Sequence, residues 1–132
     1  MTTAKPGSSS ISDDLRTQIG SFFVLFPHAW ATPLAAEGLC LEASQEFDRH
    51  LRELRFVGAH QIFEFWTELG DGLESENHFA NVVVDLGHQV VVDWTARQFD
   101  EGLGPRIPYP LVRPISRYAA DLGWDRWALS RR

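Results

Sequence analysis

The sequence predicts an α+β fold, with N-terminal helices packed on a small antiparallel sheet. Three observations carry this. Apolar residues recur at helical spacing early in the chain, at Leu15, Ile19, Phe22 and Phe26, and again at Leu41, Ser44, Phe47, Leu51 and Leu54. From His60 onward the pattern changes to runs rich in aromatic and β-branched residues: HQIFEFWTEL, HFANVVVDL and HQVVVDW. Helices come first and strands later, which separates the α+β class from alternating α/β folds.

Each element follows from local chemistry. Residues 1–10, MTTAKPGSSS, are small and polar with Pro and Gly, and read as a disordered tail. Residues 11–132 read as a single domain. Ser12 is placed to cap a first helix, with Asp13 and Asp14 where the helix dipole favours acids. That helix runs to about Phe26. Pro27 and Pro33 mark a loop that continues to Gly38. A second helix spans about 39–55, with Glu42, Glu46, Arg49, Arg52 and Glu53 on its wet side. HQIFEFWTEL is a strand, and the acidic segment 70–77 is a loop. The two runs on either side of Gly87 form a hairpin. Gly102, Gly104, Pro105, Pro108 and Pro110 punctuate another loop. A last helix covers about 115–122 and ends at Gly123, with Trp124 and Trp127 packing back.

Composition excludes several function classes. The 132 residues are 44% hydrophobic and 23% charged, an ordinary globular balance. The net charge of −6 argues against a nucleic-acid partner, because phosphate binding needs a basic surface. One cysteine cannot form an internal disulfide, and no Cys/His cluster has zinc-site spacing. No metal and no organic cofactor are expected. No run is long enough to span a membrane, so no membrane partner is expected either. The reading is a cytoplasmic protein, with export as an effector by a signal-independent route left open. The oligomeric state is not legible.

The lone cysteine, Cys40, sits in EGLCLEAS, just after Gly38 and at the head of the second helix. Thiol chemistry needs a thiolate, and a helix N-terminus or a nearby imidazolium favours one. The backbone N–H groups there could also hold an oxyanion. A thiol nucleophile needs a base, and the base needs an orienting group. Of the five histidines, His50 and His60 belong to the region of the cysteine's own helix. His78 instead opens a strand, and Asp93 ends the apolar run VVVD on the next one. Side chains alternate along a strand. An even-numbered turn, Leu86-Gly87 or residues 85–88, therefore puts His78 and Asp93 on one face. A three-residue turn would separate them.

The glycine–cysteine helix start GLCLEAS, the strand-opening histidine in NHFANVVV and the aspartate in VVVDWTARQF form an order, Cys–His–Asp. This order resembles the papain-like and transglutaminase-like thiol enzymes in their small bacterial versions, including papain-fold toxin and deamidase domains. The resemblance covers roughly 38–99 and extends toward PYPLV. It implies a papain-like core, Cys40 as nucleophile, His78 as general base and acid, and Asp93 as the orienting acid. Papain-like peptidases carry a glutamine shortly before the cysteine, and no Gln lies in 27–39. Gln98 is a substitute candidate, and Leu39 and Trp94 are further candidates for oxyanion or substrate contacts. PHAW, residues 27–30, resembles the HAW of transglutaminase-like enzymes, but there the histidine follows the cysteine. His28 is therefore read as a decoy.

The resulting expectation is a cysteine-dependent hydrolase acting on amide bonds of a protein or peptide substrate, as a peptidase or a glutamine deamidase, through an acyl-enzyme. Acyl transfer to an amine is chemically adjacent. The alternative is a non-catalytic binding or assembly module with an inert, buried Cys40 and an exposed apolar patch involving Phe63, Phe65 or Trp66. A third reading is a component of a phage or toxin system that is active only with a partner.

Overall fold

The computed structural model describes residues 11–68, 75–99, 106–122 and 127–131. The tail 1–10, the acidic stretch 70–74, and Gly102, Gly104, Pro105, Gly123 and Trp124 lie outside the described residues. In chain order the elements are α1 (Asp13–Leu25), α2 (Pro33–Ala36), α3 (Cys40–Glu53), β1 (His60–Glu68), β2 (Ser75–Asp85) and β3 (His88–Asp93). A 3-10 turn (Ala96–Phe99), β4 (Leu111–Pro114), α4 (Ile115–Asp121) and β5 (Trp127–Arg131) follow. The class is α+β, as the sequence predicts. The strands form one sheet of order β4-β3-β2-β1-β5, antiparallel at every pairing. Among the described residues no helix is long and apolar enough to cross a membrane.

Ser12 begins α1 as expected. Its hydroxyl accepts from Leu15 N–H at 3.1 Å and donates to Asp85 Oδ1 at 2.5 Å. Its own N–H donates to Asp85 Oδ2 at 2.7 Å, so the helix start is tied to the β2–β3 hairpin. Helix α3 follows from its apolar spacing and buries Ala43, Ser44, Phe47 and Leu51. Leu54 falls beyond that helix and is exposed.

The sheet separates two apolar layers. On one side Leu15 and Phe22 of α1, Trp30, Ala36 of α2, and Ala43, Phe47 and Leu51 of α3 pack with Val83, Val90, Val92 and Trp94. On the other side Tyr118 of α4 packs with Phe63, Phe65, Ala80, Val82, Val91 and Leu111. Adjacent strand residues divide between the layers, as strand alternation requires.

Three elements were not expected. The loop 27–38 contains α2, a single turn capped by Thr32, whose hydroxyl accepts from Ala35 N–H at 3.1 Å, with Pro33 at the first helical position. Four residues are too few for apolar periodicity to mark it. The segment after Pro110 adds β4 to one sheet edge, and Trp127 opens β5 on the other, opposite Thr67. The acidic composition predicts a loop to Asn77, but β2 already starts at Ser75, opposite Glu68.

Candidate active site

The hairpin turn decides the geometry. Asp85 pairs with His88, so the turn is the two residues Leu86 and Gly87, both with positive φ (52° and 79°). Two positive φ values mark the turn type whose twist suits a tight hairpin. The turn is even-numbered, and the ladder runs from Asp85–His88 to Asn81 opposite Val92. His78 and Asp93 therefore share a face, and His78 Nε2 lies 2.7 Å from Asp93 Oδ2. Both side chains are buried, at 0% and 1% exposure.

Asp93 uses its two oxygens differently. Oδ1 accepts from Thr95 N–H at 2.9 Å, which closes the turn that takes the chain out of β3, and from Thr95 Oγ1 at 3.4 Å. Oδ2 accepts from His78 and from the Tyr118 hydroxyl at 2.5 Å. Capping a turn and orienting an imidazole are thus both done by one carboxylate.

Cys40 arrives from the other side of the sheet. Gly38 has φ +76°, and among the described residues nothing lies within 4 Å of where its Cβ would be. It is the left-handed backbone, not crowding, that favours glycine there. Leu39 then caps α3 without a side-chain bond, is 37% exposed, and puts Cys40 at the first helical position. Two bonds brace this end of α3. Ser44 Oγ donates to Cys40 O at 2.7 Å, and buried Asn81 on β2 donates through Nδ2 to Ser44 O at 2.9 Å.

The sulfur meets β2 where the sheet opens. The β2–β3 ladder stops at Asn81 opposite Val92, because β3 turns away at Asp93. In a two-residue hairpin the flanking pair is hydrogen-bonded and bonded pairs recur every second residue. Phe79 N–H therefore faces the vacated position, and it donates to the Cys40 sulfur. The sulfur also hydrogen-bonds to His78. Nε2 of that ring is held by Asp93.

The electrostatics follow from this arrangement. Burial alone would raise the Cys40 pKa, but the His78 bond and charge and the Phe79 N–H outweigh it and bring the thiol below its ordinary value. For His78, burial pushes toward the neutral ring. The Asp93 charge and hydrogen bond, with help from Cys40, overcome this and raise it to about 10. Both shifts act in the direction that favours a charged imidazole beside an ionised sulfur. Tyr118 is pushed well above the usual phenol range by burial and the adjacent Asp93, so it stays a donor. Cys40 itself is only partly buried.

The other candidates sit elsewhere. Trp94 is 2% exposed and packs on Phe22, Phe47 and Tyr109. Trp94, a candidate for substrate contact, is a core residue. Gln98 bonds through its backbone N–H to Thr95 O at 3.1 Å, and its buried Oε1 has no partner among the described residues. Among the described residues no hydrogen bond joins Gln98 to Cys40, His78 or Asp93. His28 is exposed in the loop after α1. His50 contacts Ser21 Oγ at 2.8 Å and is held below the usual imidazole range, chiefly by burial. His60 pairs with Asp48 at 2.7 Å. Among the described residues no group of His, Cys, Asp and Glu is arranged to hold a metal.

Sequence reasoning missed Tyr118, Asn81 and the Phe79 N–H. Asn81 had a signal, being an amide inside an otherwise apolar run. A tyrosine on a short C-terminal helix had none.

No protein-family profile matches the sequence, and no curated protein is significantly similar to it. Solved structures do resemble it. The catalytic domain of the Salmonella virulence factor SseI matches with a TM-score of 0.70 at 16% identity, covering 95% of this chain and 74% of that one. The C-terminal region of Pasteurella multocida toxin, described as having a thiol-protease-like catalytic triad, matches with a TM-score of 0.55 at 16% identity. That match covers 93% of this chain but 18% of the toxin chain. The likeness shows that this chain has the papain-like fold found in these bacterial virulence proteins.

Proposed function

We propose that this chain is a thiol enzyme that cleaves amide bonds of a protein or peptide substrate, as a peptidase or a glutamine deamidase. The observation that carries this is the buried relay from the partly exposed Cys40 through His78 to Asp93. The Cys40 thiolate attacks the amide carbon and forms the S–C bond. The oxygen becomes an oxyanion at the start of α3, where the Cys40 N–H is available as a donor. As the C–N bond breaks, His78 gives its Nδ1 proton to the leaving amine. Neutral His78 then takes a proton from water as the water attacks the thioester. The acid leaves, the proton remains on His78, and the ion pair is restored. Asp93 holds Nε2–H throughout and fixes the tautomer.

The binding-module alternative needs a sealed Cys40 and an apolar patch on β1. Phe63 and Phe65 are buried, Trp66 is partly exposed, and Cys40 is partly open. This favours the enzyme reading. The test is the rate of Cys40 alkylation by iodoacetamide as a function of pH. Fast alkylation well below the free-thiol pKa of about 8.5 is expected. A profile that rises only near that value, or modification only on unfolding, sinks the proposal.

A further inference from the structure

The raised basicity of His78 creates a chemical difficulty that Tyr118 addresses. An imidazolium gripped by a fully charged, buried carboxylate is a poor proton donor to a leaving amine. Asp93 Oδ2 is not left to act alone. The Tyr118 hydroxyl donates to it at 2.5 Å, against 2.7 Å for His78 Nε2. Tyr118 is 0% exposed, its ring packs on Phe65 at 4.8 Å, and α4 therefore holds the hydroxyl in place. Thr95 binds the other oxygen, so Tyr118 and His78 converge on the same atom.

We propose that Tyr118 is a positioning residue of the relay, tempering the pull of Asp93 on the His78 imidazolium by sharing the Oδ2 charge. The inference rests on the thiol-enzyme reading for its purpose, though not for its test. A hydrogen bond to a carboxylate spreads its charge, which weakens its attraction for a second donor. The hydroxyl thus keeps the pair intact while leaving the imidazolium acidic enough to protonate the amine.

The sign of one shift separates this from a purely structural role. If Tyr118 merely held the pair together, its loss would loosen the ring and lower the His78 pKa. If it shares the charge, its loss leaves Asp93 pulling harder and the pKa rises. The experiment is a 15N-histidine NMR titration of the wild type and Tyr118→Phe, with circular dichroism to confirm folding. An upward shift of about one pH unit is expected. No shift, or a downward one, overturns the proposal. Should Tyr118→Phe not fold, fluorinated tyrosine incorporated in a Tyr109→Phe protein keeps the ring and makes the hydroxyl a stronger donor. A downward shift is then expected, and an unchanged or raised pKa overturns the proposal. Alkylation of Cys40 in His78→Ala judges the thiol-enzyme reading separately, because the His78 titration is read whether or not the thiol reacts.

Discussion

Two histidine–aspartate pairs in this molecule have the same length and different company. His78–Asp93 and His60–Asp48 are both 2.7 Å apart. The first is buried at 0% and 1% exposure, while the second stands at 14% and 18%. Beyond Asp93 lie Tyr118 and Thr95, and beyond His78 lies the thiol. Beyond Asp48 lies Arg52, with Nε 3.2 Å from Oδ2, and His60 faces Phe56. The distance is therefore not what makes a site. A third partner on the open side of the ring does, together with removal from water.

The comparison breaks most sharply when each aspartate is neutralised. Asp93→Asn strips the charge from a buried pair and should cost about 3–5 kcal/mol of stability in urea unfolding. Asp48→Asn should cost at most about 1 kcal/mol, because that pair touches solvent. Equal losses would mean that burial does not distinguish the pairs.

Removing each histidine comes next. His78→Ala should slow alkylation of Cys40 at neutral pH by roughly a hundredfold, in line with loss of a paired base and charge. His60→Ala should leave the rate unchanged, and a comparable loss there would place the activating group wrongly.

The comparison sharpens further in the pH dependence. The His78 pKa is raised to about 10 from an ordinary 6.5, so its contribution to stability is complete below pH 6.5 and lost as pH rises through the raised value. The lowered Cys40 thiol acts oppositely, contributing above its ordinary range and losing that contribution as pH falls. Unfolding free energy should therefore decline with rising pH most visibly in Cys40→Ala, and the slope should vanish when His78→Gln is added. Adding His60→Gln instead should leave the slope in place.

Much of this was legible in the sequence, and for a reason. Strand alternation is strict, so the parity of one turn was enough to pose the question of whether His78 and Asp93 meet. Leu86-Gly87 supplied a turn of the right length, and the pairing at Asp85 and His88 fixed the face. The opposite case is Tyr118. It reaches Asp93 across 25 positions in the chain through the placement of α4, and no local spacing encodes that. β4 and β5 were hidden for a related reason, since an edge strand of four or five residues leaves too short a pattern to read. Trp94 shows how adjacency misleads. Its neighbour Asp93 suggested a place at the site, but one step along the chain turns a side chain to the other layer.

The gap where β3 leaves β2 has a consequence for anyone watching the protein in solution. A strand amide is ordinarily protected from solvent exchange by the neighbouring strand, yet Phe79 has a sulfur in that place. Its proton should therefore report on the state of Cys40. Slow exchange is expected while the sulfur is in place and faster exchange once it is alkylated or replaced, so one backbone resonance would follow the thiol before any substrate is known.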